Sequence, residues 1–407
     1  MSFLSELVPP AGTTRVLSLS NLAKTVGHGV VTSVIVLYFT GKVGIGVDKV
    51  GLALSAGAAI GMLGSVPLGH LADLYGPRNV TVGLLYLLGV FVGTYAFVHS
   101  FPWLVVVVSL ALMAESAAYA SRGALIAGLI PPEERVRTSS YMRSVANVGI
   151  AIGAAVGGVA LYLDSTAVYL GVLIGGGVCF ILSGSAYLTV PSVPVLAKDR
   201  GGPRWMALRD RPYLVMALLN TVLIMHITIL AVALPIWIST RTAAPSWIYS
   251  AVLILNTAVV VFLQVRVSRG SERPDGGARA MRRAGLLLAA CCVLFATAQG
   301  RSVLVAVSVL LVGAVVHVFG EMLQGAGQWS VSFGLAPDSA QGQYQGLFAM
   351  SVQLGTVATP ALATLLLTNL GWLGWLVLAA PLALAGMAAP AVLRWAERTG
   401  TPATVSD

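Results

Sequence analysis

Residues 303–316 read VLVAVSVLLVGAVV, a run with one hydroxyl at Ser308 and no charge. Residues 104–112, LVVVVSLAL, repeat the pattern. A soluble domain carries about 25% charged residues, whereas this chain of 407 residues carries 10% against 57% hydrophobic. That balance leaves too little polar surface to face water on all sides. Apolar runs of about 20 residues match the length an α-helix needs to cross the hydrocarbon layer at about 1.5 Å per residue. Helices are the natural choice there because lipid satisfies no backbone N–H or C=O group.

Working outward from these runs, twelve spans are expected, at residues 16–40, 50–69, 79–98, 103–130, 139–163, 167–190, 212–238, 247–265, 283–299, 302–329, 343–368 and 371–393. Pro102, Pro131, Pro132, Pro191, Pro212 and Pro245 fall at or near their ends. The fold class is therefore an all-α membrane protein.

The basic residues orient the spans. With the N-terminus in the cytoplasm, seventeen of the 24 Lys and Arg fall inside, among them Arg15, Arg78, Arg135, Lys198, Arg204, Arg279 and Arg394. Lys42, Lys49, Arg241 and Arg301 fall outside, and Lys24, Arg122 and Arg143 lie within spans. This asymmetry accounts for the net charge of +9 without a nucleic-acid partner. The basic, proline-containing stretch 191–211 divides the chain into an N-terminal six-helix lobe (1–190) and a C-terminal one (212–394), followed by a cytoplasmic tail (395–407). A second basic loop, Arg266 to Arg283, separates spans 8 and 9. Twenty Arg against four Lys, with abundant Ala, Gly and Val, suits a GC-rich bacterial genome and hence a bacterial cell membrane. Residues 1–10 contain Glu6 and lack the basic start of a cleavable signal peptide. Cys179, Cys291 and Cys292 sit in apolar blocks and read as small packing residues.

Between spans 2 and 3 the chain reads Gly69-His70-Leu71-Ala72-Asp73-Leu74-Tyr75-Gly76-Pro77-Arg78. This resembles the signature loop of the major facilitator superfamily, with Leu74 where a basic residue is usual and with Pro77 as a second departure. The resemblance implies two pseudo-symmetric six-helix lobes around a central cavity. It also implies a conformational latch formed by Gly69, Asp73, Gly76 and Arg78. Span 5 carries Arg143, Asn147, Gly149, Gly153, Gly157 and Gly158. This stretch is similar to the antiporter motif of the twelve-helix drug:proton efflux branch, with Ala154 in place of its proline. Glycines four apart also let a second helix approach closely, with or without antiport. Arg143 reads as a cation snorkelling to the inner face.

An ionisable side chain inside a span costs about 2.5–3.5 kcal/mol on insertion scales. Of fifteen acidic residues only Glu115 and Glu321 fall well within spans, and of five histidines only His28, His226 and His317 do. All five lie on spans 1, 4, 7 and 10, which line the cavity in the superfamily. At 100° per residue His317, Glu321, Gln324 and Gln328 share one face of span 10. Glu115, Tyr119 and Arg122 share a face of span 4, and Asn21, Lys24, His28 and Thr32 share one of span 1. On span 7, His226 and Asn220 point in different directions. Glu115 lies about 18 Å from the outer surface and Lys24 about 13 Å from the inner one. In a core about 30 Å thick these depths nearly coincide, which predicts a Lys24–Glu115 pair. Glu321 is expected near the inner mouth unless its helix runs on, and Arg122 near the inner surface.

Burial raises a carboxyl pKa and a nearby cation lowers it, so a movable pair can toggle its protonation. Glu115, Lys24, His28, Glu321 and His317 are therefore the candidate proton-coupling residues. Asn21, Thr32, Tyr119, His226, Gln324 and Gln328 are candidates to line the substrate cavity. Trp103, Trp237, Trp247, Trp329, Trp372 and Trp375 fall mostly near span ends and read as an interfacial belt.

No Gly-x-x-x-x-Gly-Lys-Ser/Thr loop argues for an ATP-driven pump. No His-x-x-x-His, Cys-x-x-Cys or Gly-x-Ser-x-Gly argues for an enzyme or a metal centre, and no filter repeat argues for a channel. The expectation is a monomeric secondary transporter without cofactor, exporting a small amphipathic or drug-like molecule in exchange for protons. The alternatives are proton-coupled uptake of a sugar, peptide or organic acid, and a non-transporting membrane receptor or assembly factor.

Overall fold

The computed structural model describes residues 8–193 and 205–399. Lys198, Arg200 and Arg204, most of the expected central loop, and residues 400–407 of the expected tail lie outside the described residues. Among those described, every regular element is helical. In chain order they are α1 (Thr13–Leu37), α2 (Val47–Leu63), α3 (Ser65–Tyr75), α4 (Pro77–Thr94), α5 (Phe101–Leu129), α6 (Pro132–Leu163) and α7 (Thr166–Tyr187). There follow α8 (Met206–Arg209), α9 (Arg211–Thr228), α10 (Leu234–Arg241), α11 (Trp247–Val267) and α12 (Pro274–Thr297). The last are α13 (Val303–Gly334), α14 (Gln341–Leu370) and α15 (Trp372–Thr399). A π turn, Tyr38–Lys42, prolongs α1, and another, Ile229–Ala233, joins α9 to α10. Among the described residues eleven helices are long and apolar enough to span a membrane, or twelve when α2 and α3, bent by 42° about Gly64, count as one.

Several boundaries differ from the sequence reading, each for a local reason. The stretch Gly69–Tyr75 is helical rather than looped, and the chain reverses only at Gly76, whose φ of 89° suits glycine. Pro77 then opens α4 at a first-turn position, where its missing N–H is no loss. In the same way Pro132 opens α6 seven residues before the expected start, so Arg135 and Arg137 are helical. Pro274 opens α12 within the supposed 266–283 loop. Asp210 caps α9, its Oδ1 accepting the Tyr213 N–H at 3.1 Å. α15 runs to Thr399, past the expected end of span 12.

The chain forms two compact units. The first holds the described residues up to Met206 together with Ala336–Gln353; the second holds Ala207–Leu335 and the described residues from Leu354. In the first unit α1 packs on α6 and α7, and α5 on α2 and α4. The glycines of α6 make the α1 contact close: a Cβ on Gly153 would meet the Val26 carbonyl oxygen and the Val30 nitrogen, and one on Gly157 the Ser33 side chain. Gly158 faces open space and takes no part, contrary to its place in the expected motif.

In the second unit α12 packs on α13 and α15, and α9 on α15 and α13. Trp237 and Trp375 are wholly buried there, not interfacial. Their rings meet edge to face at 5.8 Å, and the Trp237 indole N–H donates to the Phe295 carbonyl at 2.8 Å. Trp103, Trp247 and Trp372 are exposed, as a lipid-interface residue would be. None of the three cysteines is disulfide-bonded; Cys291 and Cys292 are buried and Cys179 half-buried.

Candidate functional site

Glu115 stands at the midpoint of α5, fourteen residues from either end. Its Oε1 lies 2.8 Å from Lys24 Nζ and 3.2 Å from His28 Nδ1, both on α1. Lys24 and His28 are four residues apart, so one turn of helix brings both to the same oxygen. The matched-depth pair thus forms, with the histidine as a third member. The Lys24 and Glu115 side chains are 16% and 18% exposed and His28 39%, so the histidine is the most open of the three.

Two turns further along α5, Arg122 is drawn inward rather than toward a surface: its guanidinium donates to Asn21 Oδ1 at 2.5 Å and stacks 5.2 Å from the Tyr119 ring. Asn21 in turn donates to the Met142 carbonyl on α6 at 2.8 Å. Lys24, Tyr119 and Arg122 share a narrow cavity with Thr81, Ser183 and Tyr187. Thr32 is exposed, and its hydroxyl bonds the His28 carbonyl of its own helix. On α6, Asn147 bonds back to the Arg143 carbonyl, and Arg143 is half-buried.

A second cluster lies inside the other unit. The α13 residues His317, Glu321, Gln324 and Gln328 are all buried on one face. α13 continues thirteen residues beyond Glu321 to Gly334, so that carboxylate is well inside the helix rather than at its mouth. His226 and Asn220 both meet this face. The His317 Nε2–H donates to the His226 carbonyl at 3.2 Å, the two rings lie 5.2 Å apart, and Gln324 Nε2 donates to Asn220 Oδ1 at 2.8 Å. The expectation that the two α9 side chains diverge is thereby corrected. Glu321 Oε2 accepts from Asn256 Nδ2 of α11 at 2.7 Å. The sequence reading missed Asn256; an amide in the middle of an otherwise apolar span was the signal available.

The signature stretch forms a third feature, wholly within the first unit. Asp73, near the end of α3, accepts the Gly342 N–H at 2.6 Å on Oδ1 and the Gln343 N–H at 3.0 Å on Oδ2. These are orphan donors of the first turn of α14, which a carboxylate satisfies best. His70 Nδ1 meets Gln343 Nε2 at 3.0 Å, and a Cβ on Gly69 would strike the Gly342 carbonyl oxygen. Arg78 donates to the Val190 carbonyl at 3.0 Å.

Residues 17–326 match the sequence model of the Major Facilitator Superfamily. The chain belongs to this superfamily. No curated protein matches it in sequence. Among solved structures, a bacterial homologue of the iron transporter ferroportin in its outward-facing state superposes with a TM-score of 0.72 at 15% identity, over 95% of this chain and 99% of that one. The superfamily transporter FucP in the outward conformation gives 0.71 at 12% identity, over 93% and 98%. The human organic anion transporter MFSD10 gives 0.69 at 16% identity, over 92% and 98%. At these identities the likeness is one of fold. The chain is thus a multi-pass transporter of the superfamily, whose transported molecule these relatives do not specify.

Proposed function

We propose that this superfamily member is a proton-coupled exporter of small amphipathic molecules, with Glu115 as its proton carrier. One observation carries the reading: a carboxylate at the midpoint of a spanning helix, held by an ammonium and an imidazole from a single turn of α1. Protonating Glu115 removes its attraction for Lys24 and frees the cation, so proton occupancy and local arrangement are linked. Asn21, Tyr119 and Arg122 beside it offer hydrogen-bonding and stacking groups to a solute. The choice of export over uptake rests on the resemblance of the α6 glycine stretch to the antiporter motif; the seating of Gly153 and Gly157 on α1 is packing that either direction allows. The Asp73 cap on α14 would serve as the latch. Both termini would face the cytoplasm of a bacterial cell, by the distribution of basic residues.

The test is proton movement in proteoliposomes carrying a pH-sensitive dye. Addition of amphipathic cations should collapse an imposed pH gradient with wild-type protein and not with Glu115→Gln. A sugar, peptide or organic acid that carries protons in its own direction would overturn export in favour of uptake. Silence toward the whole panel would favour a receptor.

A further inference from the structure

We propose that His226, His317 and Glu321 form a three-ligand site for a first-row divalent transition metal of the zinc class. This inference stands independently of the proton-carrier reading of Glu115. The ligand atoms of the three side chains all lie within 4.8 Å of one another, and all three residues are buried. Ligands about 2.0–2.2 Å from a tetrahedral zinc are roughly 3.3 Å apart, so closing the site asks for side-chain shifts of about 1 Å.

The surroundings are those of a metal ligand set. His317 donates Nε2–H to the His226 carbonyl at 3.2 Å and presents its other ring nitrogen, Nδ1, toward the carboxylate. That nitrogen lies 3.8 Å from Glu321 Oε2. Metal-bound histidines characteristically donate their other N–H to a carbonyl, and ligating carboxylates are themselves hydrogen-bonded. Both outer contacts are present, the second from Asn256 to Glu321 at 2.7 Å. Two imidazoles and one carboxylate select zinc, cobalt or nickel over magnesium and calcium, which take oxygen shells. Three protein ligands leave one tetrahedral position for water or a solute. Spacing rules could not reveal the set, because His226 comes from a different helix than the other two.

The experiment is cobalt titration of the purified full-length protein in detergent, after removal of any purification tag, followed by visible absorption and by zinc competition. Expected are one equivalent of Co²⁺, a tetrahedral-type absorption without a thiolate charge-transfer band, and displacement by Zn²⁺. Glu321→Gln and His317→Gln should each weaken binding at least tenfold. Asn256→Ala, which removes an outer contact, should weaken it about tenfold, and the surface variant Asp164→Asn should leave it unchanged. Retained thermal melting of the isosteric Glu321→Gln protein excludes misfolding as the cause, and His226→Gln provides a second route if that variant is unstable. Absence of saturable binding to wild-type protein, a thiolate band, or unchanged affinity in both Glu321→Gln and His317→Gln would overturn the site. Protonation of His317 by Glu321 would then be the reading left for the pair.

Discussion

Lys24 and Glu115 meet at 2.8 Å from two different helices, 91 residues apart in sequence, each at mid-depth of its span. A carboxylate and an ammonium so placed act as one unit, and their substitutions should not add. Glu115→Gln is expected to lower substrate-driven proton flux at least tenfold. Lys24→Met should do the same, and the double variant should be no worse than the poorer single one. Proteoliposome flux across the four proteins checks this. Independent, multiplicative losses would show that the pair is not the coupling element.

Asp73 caps α14 through two backbone N–H groups. Asp73→Asn keeps one acceptor but turns an NH₂ toward a second N–H, and the carboxylate charge that favours a helix N-terminus is lost. The expected cost is about 1–3 kcal/mol, visible as a lower melting temperature of the detergent-solubilised protein. Gly69→Val should be worse, since the Gly342 carbonyl leaves no room for its side chain.

Two glycines of α6 make an internal comparison. Gly153→Val should destabilise severely, because the backbone of α1 lies against that position. Gly158→Val should stay within about 0.5 kcal/mol of wild type, as surface substitutions do. Thermal melts of the two variants, side by side, decide whether the stripe is packing at 153 and idle at 158.

Asp164, between α6 and α7, is fully exposed and receives a hydrogen bond from Lys42 Nζ, at 2.9 Å to Oδ1, which together with the lysine charge holds its pKa below the usual carboxylate value. A group depressed on folding contributes above its unfolded pKa, about 3.9, and loses that contribution as pH falls through the folded value. Melting temperatures of wild type and Asp164→Asn should therefore keep a constant difference from pH 5 to 8. The difference should close only in more acidic buffer. A gap that changes near pH 7 would refute this.

Much of the helical layout could be read from hydropathy, because the insertion cost of charges leaves an apolar signal some twenty residues long. The same cost made Glu115, Glu321 and the three histidines conspicuous, and helical period aligned the α13 stripe. Other features left no such trace. Asn256 is uncharged, so its presence in a span is less costly and less visible. The partners of Asp73 are backbone N–H groups 269 and 270 positions away, which no side-chain pattern encodes. Trp237 and Trp375 sit near span ends, where the bilayer interface and the protein interior both welcome an indole; only their burial against α12, with the Phe295 carbonyl receiving the Trp237 N–H, tells the two apart.

The π turns at Tyr38–Lys42 and Ile229–Ala233 bear on how their spans can move. A π turn is how an α-helix absorbs one additional residue without unwinding. One closes the span Thr13–Lys42, and the other interrupts the span Arg211–Arg241 just past its midpoint. Sharp helix kinks fall at π turns among a few other causes, so each marks where its span can bend.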